Sequence, residues 1–166
     1  MAIETCDPIE TLNKALCLTQ ERAQFYLRVA VRAVDPKAAA MFRSLAEDEQ
    51  HHARIIQSRI DAWVKGEEWV VPECVLACNP VLTEPLFPGG KAAFEKTVRP
   101  DASDLDALLY ALRSETHAYN LYVEQAHEAS ASTAKMYEYL ADAERAHFDQ
   151  LMLSYESIQG RGGWTE

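Results

Sequence analysis

Two stretches of this sequence, far apart in the chain, repeat one pattern of apolar and charged residues. MFRSLAEDEQHHARII begins at Met41, and MYEYLADAERAHFDQL begins at Met136. The positions that coincide are Met41/Met136, Phe42/Tyr137, Leu45/Leu140, Ala46/Ala141, Glu49/Glu144 and His52/His147. Steps of three and four residues keep such positions on one face of a helix. The repeat therefore predicts two helices built on one plan, each with a Glu-x-x-His pair in the middle of its apolar face.

Four long segments lack internal proline and have helical spacing of their apolar residues. They cover roughly residues 8–34, 37–65, 102–129 and 131–158. The predicted N-caps of the first two segments are Asp7 and Asp35, each followed by a proline suited to the first helical position. The third segment is predicted to be capped by Asp101 or Ser103, and the fourth by Ser130 or Ser132. The first and third segments also correspond, more weakly, around Glu21 and Glu115.

A long connection, residues 66–100, separates the second segment from the third and is rich in proline and glycine. A helix of about 28 residues is about 42 Å long, and a connection of this length can cross from one end of a bundle to the other. We therefore predict an all-α protein with a ferritin-like four-helix bundle, in which a long crossover joins two antiparallel helix hairpins. The prediction is a single domain over residues 1–166, with a loose tail at 159–166.

The charge and composition exclude several partners. The formal net charge is −10 at pH 7, so neither nucleic acid nor an anionic membrane is an expected partner. No apolar stretch approaches the roughly 18 residues of a spanning helix, and we expect a cytoplasmic protein with reduced thiols. Cys74 and Cys78 lie close together, but no second pair follows that would complete a four-thiolate metal site, and their role stays open.

Carboxylates interrupt the apolar faces of three predicted helices, at Glu49, Glu115 and Glu144. Glu21 on the first helix supplies a fourth, although Lys14 and Arg28 lie near the same face. Unpaired buried charges cost several kcal/mol, so something must neutralise them. Four carboxylates balance two divalent ions, and a glutamate and a histidine three residues apart can reach the same ion. Carboxylate and imidazole ligands suit iron or manganese, and zinc is a possible substitute.

The segments LAEDEQHH, ERAQFYLRVA and ADAERAH resemble the rubrerythrin-type members of the ferritin-like superfamily, and the resemblance covers all four helices. It implies a non-haem di-iron centre with two iron ions per chain. It also implies that Glu49 and Glu144 bridge the irons, that Glu21 and Glu115 are terminal ligands, and that His52 and His147 each bind one iron. Rubrerythrins carry a further glutamate where this chain has Ala118, so the expected ligand set is symmetric, as in bacterioferritin.

The resemblance implies an oxidoreductase that reduces hydrogen peroxide or dioxygen. The chain has no rubredoxin-like pair of Cys-x-x-Cys motifs, so the electrons are expected to come from a separate donor protein. We also expect a homodimer or larger homo-oligomer. Two alternatives remain: a ferroxidase or iron storage and transfer protein, and a non-catalytic bundle whose metal is structural or which only binds a partner.

Overall fold

The computed structural model describes residues 7–80 and 104–161, and in them the chain is helical with no strand. The helices are α1 (Pro8–Arg32), α2 (Pro36–Lys65), α3 (Glu73–Leu76), α4 (Asp104–Glu128) and α5 (Ala131–Arg161). α1 packs along α2 and α4 packs along α5, which confirms the predicted all-α bundle of two helix hairpins. Among the described helices, none has the length and apolar character needed to cross a membrane.

The ends of α1 and α2 follow the local sequence. The backbone N–H of Ile9 donates to Asp7 Oδ1 at 3.1 Å, and that of Lys37 donates to Asp35 Oδ1 at 2.7 Å, so both predicted caps are confirmed. α1 ends two residues earlier than predicted, because Ala33 adopts an extended conformation with ψ 129°. α2 ends at Gly66, whose φ of 67° favours glycine. α5 begins directly after Ser130, while Asp101 and Ser103 lie outside the described residues.

The long connection contains one element that the sequence pattern did not predict. The single turn α3 follows Pro72, and its Val75 is buried together with Trp69. Residues 81–100 of the predicted crossover lie outside the described residues. α5 continues to Arg161, into the tail that was predicted to be loose, and the remainder of that tail is also outside the described residues.

The apolar core forms two separate clusters. One contains Leu12, Ile56 and Leu140, and the other contains Phe42, Leu112 and Leu151. Along α2, α4 and α5, the three glutamates of the predicted site lie between residues of one cluster and residues of the other. The bundle therefore carries a buried polar layer between two apolar layers.

Candidate metal centre

Four residues from three helices converge in this polar layer. They are Glu49 on α2, Glu115 on α4, and Glu144 and His147 on α5. Each offers a ligand atom, and these atoms all lie within 4.8 Å of one another. All four side chains are buried. A buried group of three carboxylates and an imidazole could hold a metal ion, because such charges are costly to bury without a counterion.

One set of atoms in this layer surrounds the ring of His147, and we call it the His147 half. His147 Nδ1 lies 3.2 Å from Glu144 Oε2, 3.4 Å from Glu49 Oε1 and 3.7 Å from Glu115 Oε1. The other ring nitrogen, Nε2, lies 3.3 Å from Oδ2 of Asp48. Asp48 therefore fixes the ring with Nδ1 directed toward the carboxylates.

The opposite set of atoms, which we call the Arg22 half, is arranged around the guanidinium of Arg22 on α1. Arg22 Nη2 donates to Glu49 Oε2 at 3.0 Å and to Glu144 Oε1 at 2.8 Å. His52 Nδ1 lies 3.7 Å from each of the same two oxygens. His52 thus borders the glutamates, but the group bonded to them on this side is an arginine that sequence analysis missed.

The prediction that Glu21 joins the centre was wrong. Glu21 is exposed, and its Oε1 accepts a weak hydrogen bond from Cys17 Sγ at 3.7 Å. It lines an open surface depression together with residues of α4 such as Arg113. The inward face of α1 is instead formed by Leu12, Ala15, Thr19, Arg22, Ala23, Tyr26 and Ala30.

The error is one of register between α1 and α4. The buried residues of the two helices match at a constant spacing, as Leu12/Leu108, Ala15/Ala111, Thr19/Glu115, Arg22/Ala118 and Tyr26/Tyr122. The residue of α1 that corresponds to Glu115 is therefore Thr19, and Glu21 lies two residues further on. Two residues turn a helix by about 200°, which moves the side chain to the opposite face. The Tyr26/Tyr122 pair is the signal that could have revealed this register.

Two hydrogen bonds reflect the same correspondence. The hydroxyl of Tyr26 donates to Glu115 Oε1, and the hydroxyl of Tyr122 lies 2.8 Å from Thr19 Oγ1. Tyr26 on α1 thus contacts the residue seven positions before Tyr122 on α4. In the same way, Tyr122 contacts the residue seven positions before Tyr26. Thr19 is completely buried, so α1 presents a hydroxyl to the polar layer at the position where α4 presents a carboxylate.

The positive charge of Arg22 balances part of the negative charge of the buried carboxylates. Burial alone would lower the pKa of Arg22, but Glu49 and Glu144 outweigh it and hold this pKa well above its ordinary value. Burial and the charge of Glu49 raise the pKa of Glu144 to about 8. Burial acts in the same direction on Glu49, but Arg22 and the two histidines hold its pKa well below the ordinary value. At pH 7 the opposite shifts therefore favour a pair of carboxylates that shares one proton.

The contacts of His147 favour its protonated form in the protein without metal. Burial would lower its pKa, but Asp48 and the three glutamates around the ring raise it well above the ordinary value. Two oxygens, Glu49 Oε1 and Glu115 Oε2, are buried with no hydrogen-bond partner in the described part of the chain, and so are two nitrogens of the Arg22 half, Arg22 Nε and His52 Nδ1. Buried oxygens without partners are costly, and both belong to residues of the His147 half. The donor set of this half therefore fits a metal ion.

The described cysteines lie apart from this group. Cys17, Cys74 and Cys78 have free thiols, and none belongs to the group that could hold a metal. Cys78 Sγ lies 4.0 Å from Oδ2 of Asp142 on the outside of α5.

Fold and site together define an all-α bundle of two helix hairpins with a buried glutamate and histidine cluster that could hold a metal ion. The fold is similar to that of a hypothetical protein from Pyrococcus furiosus, with a TM-score of 0.69, 20% identity, and coverage of 95% of this chain and 94% of the other. No family model and no curated protein matches the chain.

Proposed function

We propose that the protein is a non-haem iron redox protein that reduces peroxide or dioxygen with electrons from a separate donor protein. The observation that carries this proposal is the convergence of Glu49, Glu115, Glu144 and His147 in a buried layer of the bundle. Oxygen and imidazole ligands without thiolate suit iron or manganese, and the resemblance to rubrerythrins favours iron.

A bound iron ion would supply electron exchange with the oxidant. The chain's own groups hold the ligands in position for it. Asp48 orients His147, and the Tyr26 hydroxyl restrains Glu115 through its hydrogen bond. The apolar clusters on both sides of the layer keep bulk water from the carboxylates, which strengthens their interaction with a cation.

Reduction of hydrogen peroxide to water takes two electrons and two protons. Each iron(II) ion oxidised to iron(III) would supply one electron, and the donor protein would supply the remaining electrons and restore the reduced form. The test is to load the protein with iron(II) anaerobically and to mix it with hydrogen peroxide or with dioxygen in a stopped-flow instrument. We expect faster oxidation by peroxide, with turnover only after a reducing partner is added. Faster oxidation by dioxygen, with continued consumption of added iron(II) into a mineral, would replace this proposal with ferroxidase activity.

Arg22 favours a second candidate, a bundle that needs no catalytic metal. Its bonds to Glu49 and Glu144, together with the raised pKa of Glu144, which favours the neutral form of that carboxyl, balance much of the buried charge without a metal. This candidate predicts that Fe(II), Mn(II) and Zn(II) neither bind stoichiometrically nor raise the melting temperature. Calorimetric titration of the metal-free protein with each ion separates the two candidates.

A further inference from the structure

Each of the two central carboxylates contributes one oxygen to each half of the centre. Oε1 of Glu49 and Oε2 of Glu144 face His147, while Oε2 of Glu49 and Oε1 of Glu144 face Arg22. Carboxylates that offer one oxygen to each side are suited to two cations, one on each side. The structure already holds one cation in this arrangement, because Nη2 of Arg22 lies within 3.0 Å of both oxygens on its side.

The Arg22 half also lacks the ligand that its counterpart has. Glu115 provides a carboxylate to the His147 half, whereas the corresponding residue in α1 is Thr19. Thr19 Oγ1 is engaged with the Tyr122 hydroxyl at 2.8 Å. On α4, the residue corresponding to Arg22 is Ala118, whose small side chain brings no guanidinium into the His147 half.

From this asymmetry we propose that the Arg22 guanidinium replaces the second metal ion, and that the centre holds one divalent ion, bound by Glu49, Glu115, Glu144 and His147. The inference rests on the proposed function, because it takes metal binding in the His147 half as given. It departs from the two iron ions and symmetric ligand set that the sequence predicts.

Charge balance agrees with one ion. The carboxylates of Glu49, Glu115 and Glu144 carry three negative charges when ionised, and Arg22 supplies one permanent positive charge. Two negative charges remain, which one divalent ion neutralises. A second divalent ion in the Arg22 half would meet a buried guanidinium at the position it must occupy, and like charges in a buried site repel strongly.

The experiment compares the wild-type chain with a variant in which the Arg22 half is rebuilt as a copy of the other. Thr19→Glu combined with Arg22→Ala gives α1 the residues that α4 has at the corresponding positions. Anaerobic titration with iron(II) should end at one ion per wild-type chain and at two ions per variant chain. Glu21→Gln is the matched control on the same helix, and it should remain at one ion because Glu21 is exposed.

A second measurement does not depend on the folding of the rebuilt variant. In a symmetric two-ion centre, His52 and His147 are equivalent, whereas here only His147 is a ligand. His147→Gln should weaken iron(II) binding by at least about tenfold, and His52→Gln by less than about threefold. After oxidation, the wild-type protein should give the electron paramagnetic resonance signal of an isolated high-spin iron(III) ion, rather than the silence of a coupled pair.

The outcomes distinguish this inference from the proposed function. Two ions per wild-type chain, or equal losses of affinity in the two histidine variants, would overturn the one-ion centre but leave metal binding intact. A rebuilt variant that folds, as judged by circular dichroism, and still binds one ion would also overturn it. A wild-type chain that binds no iron at all would overturn the proposed function itself.

Discussion

The two halves of the polar layer share Glu49 and Glu144 and differ in nearly everything else. The His147 half has a third carboxylate in Glu115, and its histidine contacts Asp48. The Arg22 half has a threonine and an arginine on α1. Asp48 directly precedes Glu49 in the first copy of the repeat, and the residue at the same position in the second copy is Ala143.

This difference shows that backbone symmetry and chemical symmetry are separate properties. Most buried residues of α1 correspond to buried residues of α4, so the two helices turn corresponding faces toward the core. The residues Thr19 and Arg22 suffice to replace a carboxylate by a hydroxyl and to bring a permanent cation into the centre. A helical repeat therefore predicts where side chains point more securely than what they bind.

The largest effect should come from removing the cation of the Arg22 half. In the metal-free protein, Arg22→Ala leaves Glu49 and Glu144 without their guanidinium partner and should lower the free energy of unfolding by about 3–5 kcal/mol. Arg28→Ala is the matched control, because Arg28 lies on the same helix but is exposed, and it should change stability by less than about 0.5 kcal/mol. Urea unfolding at pH 7 measures both. Equal stabilities of the two variants would show that Arg22 does not balance the buried carboxylates.

The next effect concerns the two shared carboxylates, whose pKa values move in opposite directions. The pKa of Glu144 rises to about 8, so its contribution to stability is full below the ordinary value near 4.5 and is lost as the pH rises toward 8. The raised pKa of His147 acts in the same direction above pH 6.5. The lowered pKa of Glu49 contributes stability above 4.5 that is lost at more acidic pH.

The metal-free protein should therefore be most stable near pH 5, and should lose about 1 kcal/mol per pH unit between pH 5 and 8 through Glu144. Thermal and urea unfolding at intervals of one pH unit measure the slope. Glu144→Gln cannot release this proton, so its slope should be flatter than that of the wild type. Parallel slopes for the two proteins would place the proton elsewhere.

A smaller effect should separate the two tyrosines at corresponding positions. Tyr26 donates to a carboxylate and Tyr122 pairs with a neutral hydroxyl, so Tyr26→Phe should cost about 1.5–3 kcal/mol and Tyr122→Phe about 0.5–1.5 kcal/mol. Both rings are completely buried, which makes the variants a matched pair. A larger cost for Tyr122→Phe would mean that Glu115 does not depend on the Tyr26 hydroxyl.

Much of this fold could be predicted from the sequence, because α2 and α5 repeat each other at six positions that include both Glu-x-x-His pairs. Pro8, Pro36 and the aspartates before them located two helix starts for a local physical reason. Glu21 was misplaced because the match between α1 and α4 was judged on carboxylates, although their alanines and tyrosines define the register. Arg22 was missed because a buried arginine becomes favourable only through partners on other helices, and those contacts have no local signal.

The smallest effect should come from Asp48, which distinguishes the two histidines. Asp48 Oδ2 lies 3.3 Å from His147 Nε2, but its side chain is 56% exposed, so water can partly replace it. In the protein loaded with one iron(II) ion, Asp48→Asn should weaken iron binding by about threefold to tenfold. This loss is at or below the smallest loss expected when a buried hydrogen-bond partner of a ligand histidine is removed. In the metal-free protein, the same change should lower the pKa of His147 measured by NMR, because Asp48 helps to raise it.

Asp142→Asn is the control, since Asp142 is exposed on α5 and should alter neither the iron affinity nor the pKa of His147. If Asp48→Asn lowers the pKa but leaves iron affinity unchanged, Asp48 stabilises only the protonated imidazole. In that case, the preference for the His147 half would come from Glu115 and from the exclusion of a second ion by Arg22.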